Sequence, residues 1–233
     1  MLEGLICILM AAPFALVLSA LGGMLGYAIQ AGYWLHKGTP AMLSIVFLFT
    51  PAFQGVESWA KLQPETFEVR TAIEVNAPPE KVWNQVVALA EIPPPKELLF
   101  RAGIAYPIRA EISGHGVGAV RHCIFSTGPF VEPIEVWDEP RLLKFGVTAN
   151  PAPLNEVSPY GNIQPPHLHG YFVSEKGQFS LTPLPGGRTR LEGTTWYQHT
   201  MWPAAYWHLW SDYIIHRIHL RVLEHIRAEA ERN

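Results

Sequence analysis

Charge is what the first quarter of this sequence lacks. Residues 1–60 contain only three charged side chains, Glu3, Lys37 and Glu57, although the whole chain of 233 residues is 16% charged and 48% hydrophobic. This asymmetry argues against a uniformly apolar protein and indicates a membrane segment followed by a soluble domain. The length suits one sizeable domain with an appendage.

Clusters of basic residues and a cysteine framework are also missing. The net charge is -3 and no run of Lys or Arg occurs, whereas a nucleic-acid-binding surface needs clustered positive charge. We therefore expect no nucleic-acid partner. The only two cysteines, Cys7 and Cys123, lie in an apolar run and in a predicted strand, so we expect no disulfide between them.

The common catalytic and metal-binding motifs are absent as well. The sequence contains no nucleophile elbow around a serine, no phosphate-binding glycine loop that opens a helix, no CxxC pair and no HExxH. It therefore predicts no cofactor and no metal, and it identifies no catalytic residue.

The N-terminal segment, residues 1–61, is predicted to hold one or two transmembrane helices. Residues 4–35 carry no charge, which exceeds the roughly 20 apolar residues needed to cross a bilayer. A cleaved signal peptide is the alternative, although the n-region has Glu3 and no Lys or Arg. Residues 41–60 form a second crossing or lie in the interface, with Trp59 and Lys61 as anchors. Lys37 alone gives the loop its charge bias, so the side of the soluble domain is undetermined.

Residues 62–233 read as an antiparallel α+β domain. Residues 66–76 alternate apolar and polar side chains, as a half-buried strand does, and a helix with proline in its first turn follows from 77–80. Turn signals then separate predicted strands at 108–113, 118–127, 131–138, 142–148, 170–175, 178–183 and 188–200, and a helix covers 204–232. The loop 150–166 is either a lid over a site or a disordered excursion.

Three phrases resemble the START-like helix-grip superfamily, also called SRPBCC or the polyketide cyclase/dehydrase and lipid-transport family. They are Val-Asn-Ala-Pro-Pro-Glu-Lys-Val-Trp at 75–83, Val-Trp-Asp-Glu-Pro-Arg-Leu-Leu at 136–143 and Leu-Pro-Gly-Gly-Arg-Thr-Arg-Leu at 184–191. The resemblance covers about residues 66–233. It implies a curved antiparallel sheet wrapped around a long C-terminal helix, with an apolar cavity between them. Family members bind lipids, sterols, polyketides or quinones, and a minority catalyse cyclisation or dehydration.

Aromatic and histidine side chains crowd the junction of the last strand and the last helix. Leu191, Thr195, Tyr197 and His199 share one strand face, and Trp202, Trp207, Trp210 and Tyr213 follow at the helix start. Rings with polar tips line apolar cavities and orient a ligand, and plain core packing is the alternative.

One face of the last helix carries His208, Asp212, His216 and His219 at helical spacing. These side chains are either a locally paired polar face, the polar lining of a pocket or, least favoured, a metal site. His122 alternates with Val120 and Ile124, so it is predicted to point inward from its strand. The predicted ligand-binding set is His122, Tyr197, His199, Trp202, Trp207, Trp210, Asp212, Tyr213 and His216.

The sequence thus predicts a membrane-anchored domain that binds or transports a hydrophobic small molecule such as a lipid, a quinone or a polyketide-like compound. Its expected partners are that molecule and the membrane. One alternative is an enzyme of the cyclase, dehydrase or hydrolase kind that uses His199, His208 or Asp212 as acid or base. The other is a non-catalytic accessory domain of a membrane protein, whose interior is filled by its own side chains.

Overall fold

The structure, a computed structural model, describes residues 5–31, 65–156, 170–201 and 203–232. The first of these ranges is helix α1 (Leu5–Ala31), and the others form the C-terminal domain. The predicted second membrane helix at 41–60 lies outside the described residues, as does most of the predicted lid at 150–166.

Helix α1 has the dimensions of a membrane span. Its 27 residues correspond to about 40 Å of helix, against about 30 Å for the hydrocarbon core of a bilayer. Among the described residues it is the one helix long and apolar enough to cross a membrane, and most of its span from Leu5 to Ala28 is exposed. A signal sequence meets the same criteria of length and composition.

The C-terminal domain contains three helices and seven strands among its described residues. In chain order they are β1 (Thr66–Val75), α2 (Pro79–Val87), α3 (Leu98–Arg101), β2 (Pro107–Ser113), β3 (Val120–Phe125), β4 (Gly128–Asp138), β5 (Leu142–Gly146), β6 (Phe172–Leu184), β7 (Arg188–His199) and α4 (Ala204–Glu231). Local chemistry explains where α2 begins, because Pro79 needs no hydrogen-bond partner for its nitrogen in the first turn and Glu80 lies near the positive end of the helix dipole.

The strands form one antiparallel sheet that curls around α4. Their order is β1-β7-β6-β5-β4-β3-β2, so β2 to β7 make a meander and β1 is added beside β7. Helix α4 contacts β1 and β7 at one edge and β2 at the other, where Arg221 Nε donates to the Pro107 carbonyl at 3.3 Å. A helix that contacts both edges of a sheet requires the sheet to be curved. The predicted α+β helix-grip fold is confirmed.

Strand β6 differs from the prediction, which divided it into 170–175 and 178–183. It is continuous, with a register shift between Ser174 and Lys176. The prediction placed a turn at residues 176–177, but Gly177 is paired within the strand. The ring of Phe145 occupies the space that a side chain at this position would need. A Cβ at Gly177 would lie 2.5 Å from a carbon of that ring.

The two ends of the domain differ in composition. Strand β1 and helix α4 run in the same direction, as contacts at their two ends show. Near their starts, Phe67 stacks on His208 with ring centroids 4.3 Å apart. Near their ends, the Asn76 N–H donates to Glu231 Oε1 at 2.7 Å. We call the end with the starts of β1 and α4 the polar end, and the end where they finish the apolar end. The main core reaches the apolar end and includes Val75, Val82, Trp83, Val86, Leu191, Leu223, Ile226 and Ala230.

Candidate functional site

The candidate site lies at the polar end, on the concave face of the sheet. Strand β7 ends there, so the alternation of its side chains places Tyr197 and His199 on the face toward α4. The first turns of α4 bring His208 and Asp212 to the same place, and Phe67 of β1 stacks on both histidines. We call Phe67, Tyr197, His199, His208 and Asp212 the polar-end cluster.

Tyr197, His208 and Asp212 are in mutual polar contact. The Tyr197 hydroxyl donates to Asp212 Oδ1 at 2.9 Å and lies 3.0 Å from His208 Nδ1. The other ring nitrogen, His208 Nε2, is 3.2 Å from Asp212 Oδ2. Burial and the neighbouring Asp212 carboxylate raise the pKa of Tyr197, so its proton is held at neutral pH. A carboxylate that also fixes an imidazole is an arrangement suited to orienting a ligand or moving a proton.

His199 is the least satisfied member of the cluster. Its residue is only 4% exposed, and neither ring nitrogen makes a well-formed hydrogen bond in the described part of the chain. Burial, then the nearby His208, lower its pKa, while the Met201 backbone opposes that shift, so the imidazole is neutral at pH 7. A neutral imidazole offers one donor and one acceptor.

A second group of polar side chains lies deeper along the same helix face. His219 is held between two strands, because its Nδ1 lies 3.1 Å from Thr71 Oγ1 and its Nε2 lies 2.8 Å from Thr195 Oγ1. The same Thr71 hydroxyl lies 2.8 Å from His216 Nδ1. Burial, together with His216, lowers the pKa of His219 to about 4. These contacts pair both nitrogens of His219 within the protein and leave none for a ligand.

A buried ion pair, missed by the sequence analysis, lies on the concave face farther around the sheet. Arg121 of β3 and Glu132 of β4 are registered opposite each other and form a buried salt bridge. The Arg121 guanidinium also lies 5.5 Å from the ring centroid of Phe145. Burial raises the pKa of Glu132, and Arg121 opposes that shift. The sequence held one indication of this pair: Arg121 occupies the same alternating strand positions as the apolar Cys123 and Phe125, and so shares their face.

The prediction that His122 points inward is therefore wrong. Arg121 and Cys123 are the buried residues of that part of β3, and Cys123 belongs to the core. Because successive side chains of a strand point to opposite faces, His122 lies on the other face.

The predicted residues of α4 separate into two groups. Asp212 belongs to the polar-end cluster, and His216 contacts Thr71 although its residue is exposed. Tyr213 does not line the concave face, because the inward residues are Ser211 and Ile215 and a step of two residues turns the helix by about 200°. Tyr213 is 53% exposed.

The structure describes two of the three predicted tryptophans. Trp207 and Trp210 are half-buried, and Trp207 packs edge-on against Tyr206 at 5.4 Å between ring centroids. Trp202 lies outside the described residues. Within the described residues, no group of three or more His, Cys, Asp or Glu side chains is arranged to hold a metal ion.

Comparison with known proteins adds only distant structural similarities. No protein-family model and no curated protein matches the sequence. A truncated norcoclaurine synthase from Thalictrum flavum is 13% identical, with a TM-score of 0.47 over 74% of this chain and 98% of its own. A protein from Nitrosospira multiformis is 17% identical, with a TM-score of 0.43 over 71% and 97% of the two chains. The protein Ara h 8.0201 is 12% identical, with a TM-score of 0.43 over 72% and 100%. None of them assigns an activity to this chain.

Proposed function

We propose that this protein is a membrane-anchored binding or transport protein for a hydrophobic small molecule. The molecule binds between the concave sheet and the first turns of α4, and helix α1 tethers the domain to the bilayer. The observation that carries the proposal is His199, a buried imidazole whose ring nitrogens make no well-formed hydrogen bond in the described part of the chain. A buried polar group left unpaired costs about 1–3 kcal/mol, and a ligand that hydrogen-bonds to it removes that cost.

The surroundings of His199 favour a ligand that is mostly apolar. Phe67 lies nearly parallel to the imidazole, with ring centroids 5.0 Å apart and planes 12° apart. Phe67 and Phe172 pack against the small apolar group of Val69, Tyr197 and Ile215. Apolar area removed from water contributes roughly 25 cal/mol per Å², so the bulk of the ligand provides the affinity and His199 orients its polar group.

The protonation state of His199 indicates which polar group the ligand carries. Its pKa is lowered, so the ring is neutral and offers no positive charge to an anion. Asp212 adds a negative charge nearby, and its side chain is 40% exposed. We therefore propose a ligand that carries a neutral carbonyl or hydroxyl group, as quinones, polyketide-like compounds and neutral lipids do, in preference to a carboxylate or a phosphate.

The test is ligand binding to the full-length protein in lipid nanodiscs. A short-chain quinone and a fluorescent neutral lipid serve as probes, and binding is measured by quenching of tryptophan fluorescence. The variant His199→Phe keeps a flat ring and removes both nitrogens, so we expect about fivefold to tenfold weaker binding of the quinone. His115→Phe is the matched control, because His115 is exposed and lies at the apolar end beside Trp137.

Two results would contradict this proposal in different ways. If neither probe binds to the wild-type protein, the accessory-domain alternative with a filled interior gains support. If His199→Phe and His115→Phe both bind the quinone as the wild-type protein does, His199 does not orient the ligand.

One specific observation favours an enzyme as the second candidate. Asp212 accepts a hydrogen bond from Tyr197 and also contacts His208, so a base and an acid lie side by side. An enzyme of the cyclase, dehydrase or hydrolase kind would lose turnover in Asp212→Asn while ligand binding stays. Mass spectrometry of the bound compound before and after incubation distinguishes the two candidates, because a binding protein returns its ligand unchanged.

A further inference from the structure

The outer face of the first turns of α4 is apolar and uncovered. Leu209 and Tyr213 are 69% and 53% exposed, and one helical turn separates them, so they form a stripe. From Pro203 to Ile215 the only charged residue is Asp212, which is engaged with Tyr197 and His208 on the inner side. A water-facing helix normally carries charge on its outer face. We call Leu209 and Tyr213 the outer stripe.

The outer stripe lies at the end of the domain where the chain arrives from its membrane segment. Strand β1 begins there, because Thr66 is paired with Gln198 near the end of β7. The apolar sequence 41–60 is followed by only residues 61–65 before β1 starts. Five extended residues span at most about 18 Å, so membrane insertion of 41–60 would hold this end of the domain close to the lipid.

The residue types of the stripe suit a lipid interface. Leucine gains free energy when it is buried among acyl chains, and tyrosine is enriched at the level of the headgroups. The half-buried Trp210 lies next to Leu209 in the chain. Two exposed side chains are too small a surface for a stable protein dimer, which buries about 800 Å² on each partner. A bilayer needs no such shape-matched area.

We propose that the outer stripe docks on the bilayer surface, so that the polar end of the domain lies against the membrane and the ligand passes between lipid and protein around the start of α4. This inference rests on the proposed membrane anchoring and deepens the proposed function by naming the source of the ligand. The side chains of His208 and Asp212 remain 31% and 40% exposed, so the cluster is reachable from this end.

The test measures how near the stripe lies to lipid in the full-length protein. Leu209→Cys carries a thiol-reactive fluorophore, and Val117→Cys is the matched control, because Val117 is also 69% exposed. Val117 lies in the turn between β2 and β3 at the apolar end, about 30 Å away along the strands. Both variants also carry Cys7→Ser. Cys123 stays, since burial raises its pKa to about 12 and leaves almost no reactive thiolate.

The labelled proteins are reconstituted into phosphatidylcholine vesicles with and without a lipid that carries a nitroxide quencher near its headgroup. We expect the quencher lipid to reduce the fluorescence at position 209 at least twofold and to leave position 117 nearly unchanged. Tyr213→Cys should behave like Leu209→Cys. Equal quenching at 209 and 117 overturns the proposal. So does shielding of 209 that depends on the number of protein chains per vesicle, because that result identifies a second copy as the occupant.

Failure of this inference is distinguishable from failure of the proposed function. If the wild-type protein binds the quinone but position 209 is not quenched, the domain takes its ligand from water and only the docking is wrong. If position 209 is quenched but no apolar compound binds, the stripe is a membrane contact and the ligand-binding function is wrong.

Discussion

The two halves of helix α4 meet the same sheet with different chemistry. The second half buries Val222, Leu223, Ile226 and Ala230 in the main core. The first half contacts hydroxyl groups of the sheet through imidazole and carboxylate groups, which include His208, Asp212 and His216. Burial of apolar side chains, as in the second half, contributes directly to stability, whereas polar contacts contribute little net free energy.

That difference indicates a division of roles along one helix. The apolar end holds the fold together, and the polar end carries groups that stability alone does not require, such as the unpaired His199. If this is correct, changes in the core should affect mainly the free energy of unfolding. Changes at the polar end should affect mainly ligand binding. The predictions below test that comparison, beginning with the largest effect.

The largest expected loss of stability comes from the buried pair of Arg121 and Glu132, which lies among core residues such as Cys123. Glu132→Leu leaves the Arg121 guanidinium buried and unpaired, which costs about 3–5 kcal/mol. Urea unfolding followed by circular dichroism measures this loss. The double variant Arg121→Met/Glu132→Leu is the control and should recover most of it, since both charges are then absent. A double variant as unstable as the single one would contradict this account.

The next effect is the dependence of stability on pH through His219. Its folded pKa of about 4 lies below the ordinary value of 6.5, so the neutral ring stabilises the fold above pH 6.5. That contribution is lost as the pH falls from 6.5 to 4, and the total loss below pH 4 is roughly 3 kcal/mol. We expect His219→Gln to lose less stability than the wild-type protein between pH 7 and pH 4. Parallel curves for the two proteins would show that His219 is not held neutral by burial.

A smaller loss of about 1–3 kcal/mol is expected for Gly177→Ala. The new methyl group would lie 2.5 Å from a ring carbon of Phe145, so the ring or the strand must shift. Gly193→Ala on the neighbouring strand is the matched control. Its Cβ would meet Leu223 at 3.7 Å, which is an ordinary contact, so stability should change by about 0.5 kcal/mol or less. Equal losses from the two substitutions in thermal unfolding would rule out the crowding by Phe145.

Gly177 also shows which parts of the fold the sequence could predict. Alternation located β1, a turn signal located the start of β7, and helical spacing located α4 to within a residue at its ends, because each pattern lies within one stretch of chain. The sequence analysis missed the continuity of β6, because the need for glycine at position 177 comes from the ring of Phe145 on another strand. Without knowledge of that neighbour, a glycine within a strand pattern indicates a turn.

In the candidate site, too, local patterns could be predicted and contacts between distant segments could not. The shared helix face of His208 and Asp212 could be predicted, as could the strand face of Tyr197 and His199. Their contacts with one another depend on how β1, β7 and α4 are aligned, which no local pattern encodes. The pair of Arg121 and Glu132 was missed for this reason, because only the register of β3 against β4 brings the two charges together.

The smallest effect on stability, and the sharpest test of the comparison, is expected for Tyr197→Phe. The substitution removes the hydroxyl that contacts both Asp212 and His208. Those two side chains keep their mutual contact at 3.2 Å, and both are partly exposed, so water can replace the lost partner. We therefore expect the free energy of unfolding to fall by only about 1 kcal/mol.

The same variant should change the polar-end cluster more than it changes the fold. Without the hydroxyl, Asp212 and His208 are no longer tied to β7, so quinone binding in nanodiscs should weaken severalfold while the unfolding midpoint hardly moves. Leu223→Ala is the opposite case: it should lose about 2–5 kcal/mol of stability and leave binding by the folded protein nearly unchanged. If Tyr197→Phe instead destabilises the domain as much as Leu223→Ala, the polar end is a structural core like the other one. The two halves of α4 would then not have separate roles.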